Sequence, residues 1–369
     1  MGSIDLFQSS YQPYKPGGDM GKKETPGKTG LDLTREKIVQ LSLVVRDAEK
    51  VAKRFSEIFA LSWAFYDLHL DQIILHDHAV RDADCHLKIA IGTFGGRSLK
   101  IVQPVSGQSS YERFLQENGE GFFAMGLGVL QNHDNVVSAL NKAGISTEMQ
   151  GDLGNGARFS VMGTTEDLGG RIEISSPANQ AIESSLVPTG TITLNGSCLV
   201  DMAKPVFSGG KKLNQVGIVV KDEKKAAKRF EELLGIRDWN YVYGPPGLSN
   251  ATLNGMPVPE SEMEGLDVAF ANGWLGDIQI ELIRPIGLRP GGCHQQFLDK
   301  RGNGIQHVSF GLQPDYATVV DGMQKAGIGA EFSTTLSTRD FGDLLVSYFA
   351  SQEQLGGFQF EMLGRSGSK

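Results

Sequence analysis

Apolar residues change their period along the chain in a fixed order, and the same order recurs further on. Residues 213–220, LNQVGIVV, form a short apolar run that ends just before Asp222, a good helix N-cap. Beyond it Ala226, Ala227, Phe230, Leu233 and Leu234 recur at helical spacing with Lys and Glu between them, and Gly235 closes the helix. DIQIELIRP (277–285) alternates as a strand does and ends at Pro285, and IQHVSFGL (305–312) reads as another strand. A helix is predicted around Ala317–Lys325, stopping at Gly327. SYFAS (347–351) and FQFEML (358–363) follow as strands, separated by Gly356-Gly357.

The pattern is duplicated. Val44-Val45-Arg46-Asp47 followed by AEKVAKRFSEIFAL returns as Val219-Val220-Lys221-Asp222 followed by EKKAAKRFEELLGI. NVVSALNKAGIS from Asn135 likewise answers TVVDGMQKAGIG from Thr318. Two matching segments in the same order mean a duplicated domain, each copy made of two strand–helix–strand–strand–strand modules. The expected division is an arm at 1–35, a first domain at 36–178, a linker at 179–209 and a second domain at 210–369. A short strand is expected in the linker near Thr191–Leu194.

A length of 369 residues suits two domains. The formal net charge of −8, with no Lys/Arg block, argues against a nucleic-acid partner. Cys85, Cys198 and Cys293 lie far apart without a CxxC pair, which fits a reducing compartment and excludes a thiolate zinc site. There is no secretory apolar run near the start and nothing near the ~18 apolar residues of a membrane span, so no membrane partner is expected. The chain reads as soluble and cytoplasmic.

The strands of the second copy carry the chemistry. Gln215, Glu281, His307 and Glu361 each place one good metal ligand among apolar neighbours, on four different strands. Buried polar groups need partners and buried carboxylates need a counter-charge. One divalent cation would neutralise both glutamates and take oxygen from Gln215 and nitrogen from His307. Such a set suits zinc, cobalt, nickel, manganese or ferrous iron and leaves positions open.

Residues 281–312, ELIRPIGLRPGGCHQQFLDKRGNGIQHVSFGL, resemble the vicinal oxygen chelate superfamily, above all methylmalonyl-CoA epimerase and its glyoxalase I relatives. The most specific pieces are Gly304-Ile305-Gln306-His307 and Gly356-Gly357 followed by Glu361. The resemblance implies an α+β fold of tandem βαβββ modules, whose curled mixed sheets form cups with metal ligands on the first and last strands. Gln215 stands where the epimerases have histidine and Glu281 where they have glutamine, whereas His307 and Glu361 match. Gln, Glu, His, Glu is the combination of animal-type glyoxalase I. The strand near Ala251–Leu253 lacks the carboxylate an epimerase base would need, so the expected base is Glu361 or Glu281 itself. The first copy aligns as Gln40, Lys100, Ala124 and Glu173, which points to a metal-free half with an ion pair between Lys100 and Glu173.

The resemblance therefore implies one divalent metal per chain, zinc, cobalt, nickel or manganese before iron. The implied activity is that of an isomerase, epimerase or lyase that polarises a small-molecule carbonyl substrate and abstracts the adjacent proton through a glutamate. The alternative is a non-haem iron dioxygenase similar to 4-hydroxyphenylpyruvate dioxygenase, in which Gln215 would replace the first histidine of the triad. A non-catalytic small-molecule binding protein is the third reading. Tyr241, Tyr243 and Tyr348 are candidates for the substrate wall, and Arg339 and Arg284 for holding a substrate anion. His76-Asp77-His78, with His69 and His86 nearby, reads as a surface hairpin. The duplication allows either a self-sufficient monomer or a homodimer.

Overall fold

The computed structural model describes residues 37–366 apart from 129–131, 178–179, 194–198, 201, 203–210, 244–246, 287–291, 339–341, 350 and 352. The expectations for residues 1–35, Cys198 and Arg339 lie outside the described residues. In the first copy the strands are β1 (Ile38–Val44), β2 (Trp63–Leu75), β3 (His78–Phe94), β4 (Arg97–Ser106), β5 (Gly121–Leu127), β6 (Thr147–Gly154), β7 (Ala157–Met162), β8 (Arg171–Ser176) and β9 (Gly190–Ile192). Its helices are α1 (Ala48–Phe59), α2 (Ser110–Asn118), α3 (His133–Lys142), α4 (Thr165–Leu168) and α5 (Ala181–Ser185). The second copy holds β10 (Gln215–Val219), β11 (Asn240–Tyr243), β12 (Leu248–Leu253), β13 (Met256–Pro257), β14 (Val268–Leu275), β15 (Ile278–Pro285), β16 (Gly304–Leu312), β17 (Ala330–Thr338), β18 (Gly342–Phe349) and β19 (Phe360–Arg365). Its helices are α6 (Glu223–Leu234), α7 (Cys293–Arg301) and α8 (Tyr316–Lys325).

Each copy forms one mixed sheet, as the duplicated α+β pattern predicts. The first runs β3-β4-β1-β5-β8-β7-β6-β2-β9, and because β2 also pairs with β3 it closes on itself. The second runs β11-β14-β15-β10-β16-β19-β18-β17-β12-β13 and stays open. β9 lies within the predicted linker and joins the first sheet through β2, so that sheet extends past residue 178.

The repeated helices start identically. The Asp47 carboxylate accepts from the Lys50 amide at 2.9 Å, and Asp222 accepts from Lys225 at 2.9 Å. Their ends differ: Gly235 takes the left-handed conformation at φ 81°, whereas Ala60 is held there at φ 56°. That conformation costs an L-residue roughly 1–2 kcal/mol, more than the roughly 0.4–1 kcal/mol glycine loses through unfolded-chain entropy. Ala60→Gly should therefore raise stability by up to about 1 kcal/mol, seen as a higher urea midpoint with an unchanged slope.

One apolar cluster runs through both copies. Phe55 of α1 meets Phe358 edge-on at 5.2 Å, and Phe94 of β3 meets Phe310 of β16 at 5.2 Å. Arg301 donates to the Glu120 carbonyl at 2.6 Å, and Arg229 pairs with Asp167 at 2.6 Å. A second cluster, formed by first-copy residues, holds Leu68, Leu87, Tyr111, Phe123 and Phe159.

Candidate metal centre

Strand register assembles the site. Gly217 on β10 is paired with Glu281 on the parallel β15 and with His307 on the antiparallel β16. Paired residues share a face, as do residues two apart on one strand. Gln215 therefore joins the same face, with Ser309 opposite it, and Ser309 is registered with Glu361 on β19. Tyr348 on β18 is registered in turn with Glu361. Over this face opens a cavity of about 160 Å³, lined by Gln215, Glu281, Tyr348 and Glu361 among apolar side chains such as Phe270, Phe332 and Leu363.

His307 is fully buried, and burial pushes its imidazole down to about 4, so it is neutral at pH 7. Its Nε2 has no hydrogen-bond partner and lies 3.6 Å from Glu281 Oε2. Burial pushes Glu281 up to about 7, against a hydrogen bond from Gln215 that lowers it. Glu361 is raised by burial too, while His307 and hydrogen bonds from Tyr348 and Ser309 pull the other way. The Gln215 amide nitrogen also donates to Gln279 Oε1 at 2.8 Å, and a half-turn of that amide presents its oxygen instead. A buried imidazole nitrogen with nothing to bond, set against carboxylates, fits a divalent cation: the ion satisfies Nε2 and supplies the counter-charge.

A glycine makes the room. A Cβ on Gly217 would lie 2.1–2.5 Å from three atoms of the His307 ring. The other device is a β-bulge. Gly217 pairs with His307 but Ile218 pairs with Ile305, so Gln306 is the extra residue. Its Nε2 donates to the Cys293 carbonyl at 3.2 Å, which turns Oε1 toward His294 Nδ1 at 2.6 Å and His307 Nδ1 at 3.3 Å. One acceptor thus assigns the Nδ1–H tautomer to both histidines and leaves both Nε2 atoms with free lone pairs. His294 lines the cavity and is held down to about 4 by burial. Sequence reasoning missed it, because the segment 287–300 reads as a Gly/Pro loop, whereas α7 begins at Cys293.

The first copy repeats this plan with two of the four ligands replaced, by Lys100 and Ala124. Ser42 is registered with Lys100 and Ala124, and a bulge at Phe123 matches that at Gln306. Lys100 Nζ lies 2.5 Å from both oxygens of Glu173, the ion pair expected there, with the two side chains 2% and 4% exposed. Gln40 Nε2 donates to Glu173 at 3.3 Å and Tyr111 Oη at 3.5 Å. Tyr111, where the second copy has His294, lies tilted against Phe123 with ring centres 4.6 Å apart and helps fill the closed sheet.

Two substrate candidates move. Tyr241 and Tyr243 are about 40% exposed and do not line the cavity, because on β11 it is Val242 that turns inward. Tyr243 sits under the Lys224 ammonium at 5.4 Å. Arg284 points to the outer side and binds Glu223 at the start of α6. Tyr348 lines the cavity, its ring edge-on to His307 at 4.9 Å.

Residues 214–335 match the family model described as the Glyoxalase/Bleomycin resistance protein/Dioxygenase superfamily. For the second copy, that match bears out the resemblance to the vicinal oxygen chelate superfamily. No curated protein matches the sequence. Among solved structures, a triple mutant of 4-hydroxymandelate synthase from Streptomyces coelicolor is similar over 93% of this chain and 94% of its own, with 16% identity and a TM-score of 0.56. A xylose isomerase-like TIM barrel/4-hydroxyphenylpyruvate dioxygenase fusion protein matches 98% of this chain and 53% of its own, at 12% identity and a TM-score of 0.46. Methylmalonyl-CoA epimerase from Mycobacterium tuberculosis covers 42% of this chain and 87% of its own, at 21% identity and a TM-score of 0.29. The first likeness shows that both copies share its fold. No helix among the described residues is long and apolar enough to cross a membrane.

Proposed function

We propose that this chain is a metal-dependent isomerase, epimerase or lyase acting on a small carbonyl compound. The observation that carries the reading is the unpartnered Nε2 of His307, buried beside two carboxylates at an apolar cavity. Gln215, Glu281, His307 and Glu361 would hold the metal, which when bound supplies Lewis-acid polarisation of the substrate carbonyl. Removal of the neighbouring proton falls to a glutamate. With no cation beside it, burial raises Glu281 to about 7, a stronger base than an ordinary carboxylate, and it would act as that base when it is not ligating the metal. Tyr348 steadies Glu361 by hydrogen bonding, and the apolar wall keeps bulk water away. Asn272, registered with Glu281, has a buried unpartnered Oδ1 on the cavity wall and accepts from a substrate hydroxyl or amide.

The second reading is a non-haem iron dioxygenase. It is favoured by the fold likeness to 4-hydroxymandelate synthase over nearly the full length of both chains. Metal identity separates the two. Elemental analysis of the purified protein should find zinc, cobalt, nickel or manganese in the cup, with about one equivalent lost in Glu281→Ala. Iron that survives Glu281→Ala would instead establish the dioxygenase.

Metal uptake should also depend on pH. The cation must displace any proton on Glu281, so affinity is full above about pH 7 and falls as pH drops through it. With one proton displaced per ion, the loss should approach about tenfold per unit below pH 7. Zinc titrations of the stripped protein between pH 5.5 and 8 check this, and a flat profile would contradict it.

A further inference from the structure

The histidines of the first copy are not absorbed by the cup. His76 and Asp77 form the turn of the β2–β3 hairpin, with φ of 48° and 62°, as the surface-hairpin reading expects. Further down the same hairpin the register sets His69 of β2 directly opposite His86 of β3. Asp67, two residues before His69, shares their face. The opposite face is core: Leu68, Leu70, Cys85 and Leu87 are all buried. The two imidazoles stack with centroids 4.0 Å apart and planes 17° apart. Asp67 Oδ1 lies 3.0 Å from His86 Nε2. One ligand atom from each of the three residues lies within 4.8 Å of the other two.

We propose that Asp67, His69 and His86 form a second metal site, on the outer wall of the first sheet, for a late first-row divalent cation of the zinc or nickel type. Imidazole nitrogen is the preferred donor for these ions, and one carboxylate oxygen supplies charge. The donors stand on neighbouring strands, and β3 is hydrogen-bonded on both sides, by β2 and by β4, so the platform is rigid before the ion arrives. Rotation of the two rings out of their stack would bring the three donors onto one ion and leave the outward coordination position to water. The site is separate from the cup: it uses two imidazoles and one carboxylate, and it does not depend on the proposed activity.

Zinc chloride added to the EDTA-stripped, full-length protein tests it. The background is His307→Ala/Glu361→Ala, which removes two cup ligands. Calorimetry should still find about one equivalent of zinc bound, and adding His86→Ala should weaken that binding at least tenfold. His78→Ala, at the hairpin tip, should leave it unchanged. If the cup variant misfolds, the wild-type sequence replaces it, and His69→Ala/His86→Ala should lower the bound zinc by one equivalent. No zinc bound by a folded cup variant, or binding that His86→Ala does not change, overturns the proposal.

Discussion

Lys100→Met should destabilise the protein by roughly 3–5 kcal/mol, the cost of leaving a buried charge without its partner. Glu173 would keep only Gln40 and Tyr111, at 3.3 and 3.5 Å, inside a closed and filled sheet. Urea unfolding measures the loss. The double change Lys100→Met/Glu173→Leu removes both charges and should recover most of it, because well-fitted apolar pairs often equal or exceed buried ion pairs. A single-variant loss below about 1 kcal/mol would mean that water reaches Glu173 and that the first cup is not sealed.

Gly217→Ala should cost the cup its metal while sparing most of the fold. The new methyl would stand 2.1–2.5 Å from the His307 ring, which is hemmed in on other sides: Gln306 holds Nδ1, and Tyr348 lies edge-on at 4.9 Å. The ring must tilt away from Glu281, and a fall of about 100-fold in metal affinity is the scale expected from lost ligand orientation. Overpacking adds roughly 1–3 kcal/mol of instability. Pairing it with His307→Ala should relieve that instability without restoring metal. The first copy already shows this combination, with Ser42 opposite Ala124. Unchanged metal affinity in Gly217→Ala would remove the glycine from the site.

Much of this was legible in the sequence, because the information is local. The matched segments at 44–61 and 219–236, and at 135–146 and 318–329, reveal the duplication. Polar residues stranded among apolar ones single out Gln215, Glu281, His307 and Glu361. What was not legible depends on partners distant in sequence. CHQQFLDKR carries only Phe297 and Leu298 as strong apolar markers in the middle of α7, too few to set a period, so the helix and His294 went unseen. The bulge at Gln306 arises between two strands and has no signature in either alone. Tyr241 and Tyr243 fall on the exposed face of β11, which the sequence does not specify, because alternation fixes which residues share a side, not which side is inward.

The bulge itself has a history. It occurs at Phe123 and at Gln306, in the same register against the same kind of neighbour, yet only at Gln306 does it aim a polar group at a histidine. A kink common to both copies is most simply inherited from the one domain that was duplicated. The backbone geometry that now serves the second cup was thus in place before the gene was doubled. The two halves diverged by exchanging side chains on a preserved frame, one keeping an open vessel and the other filling it.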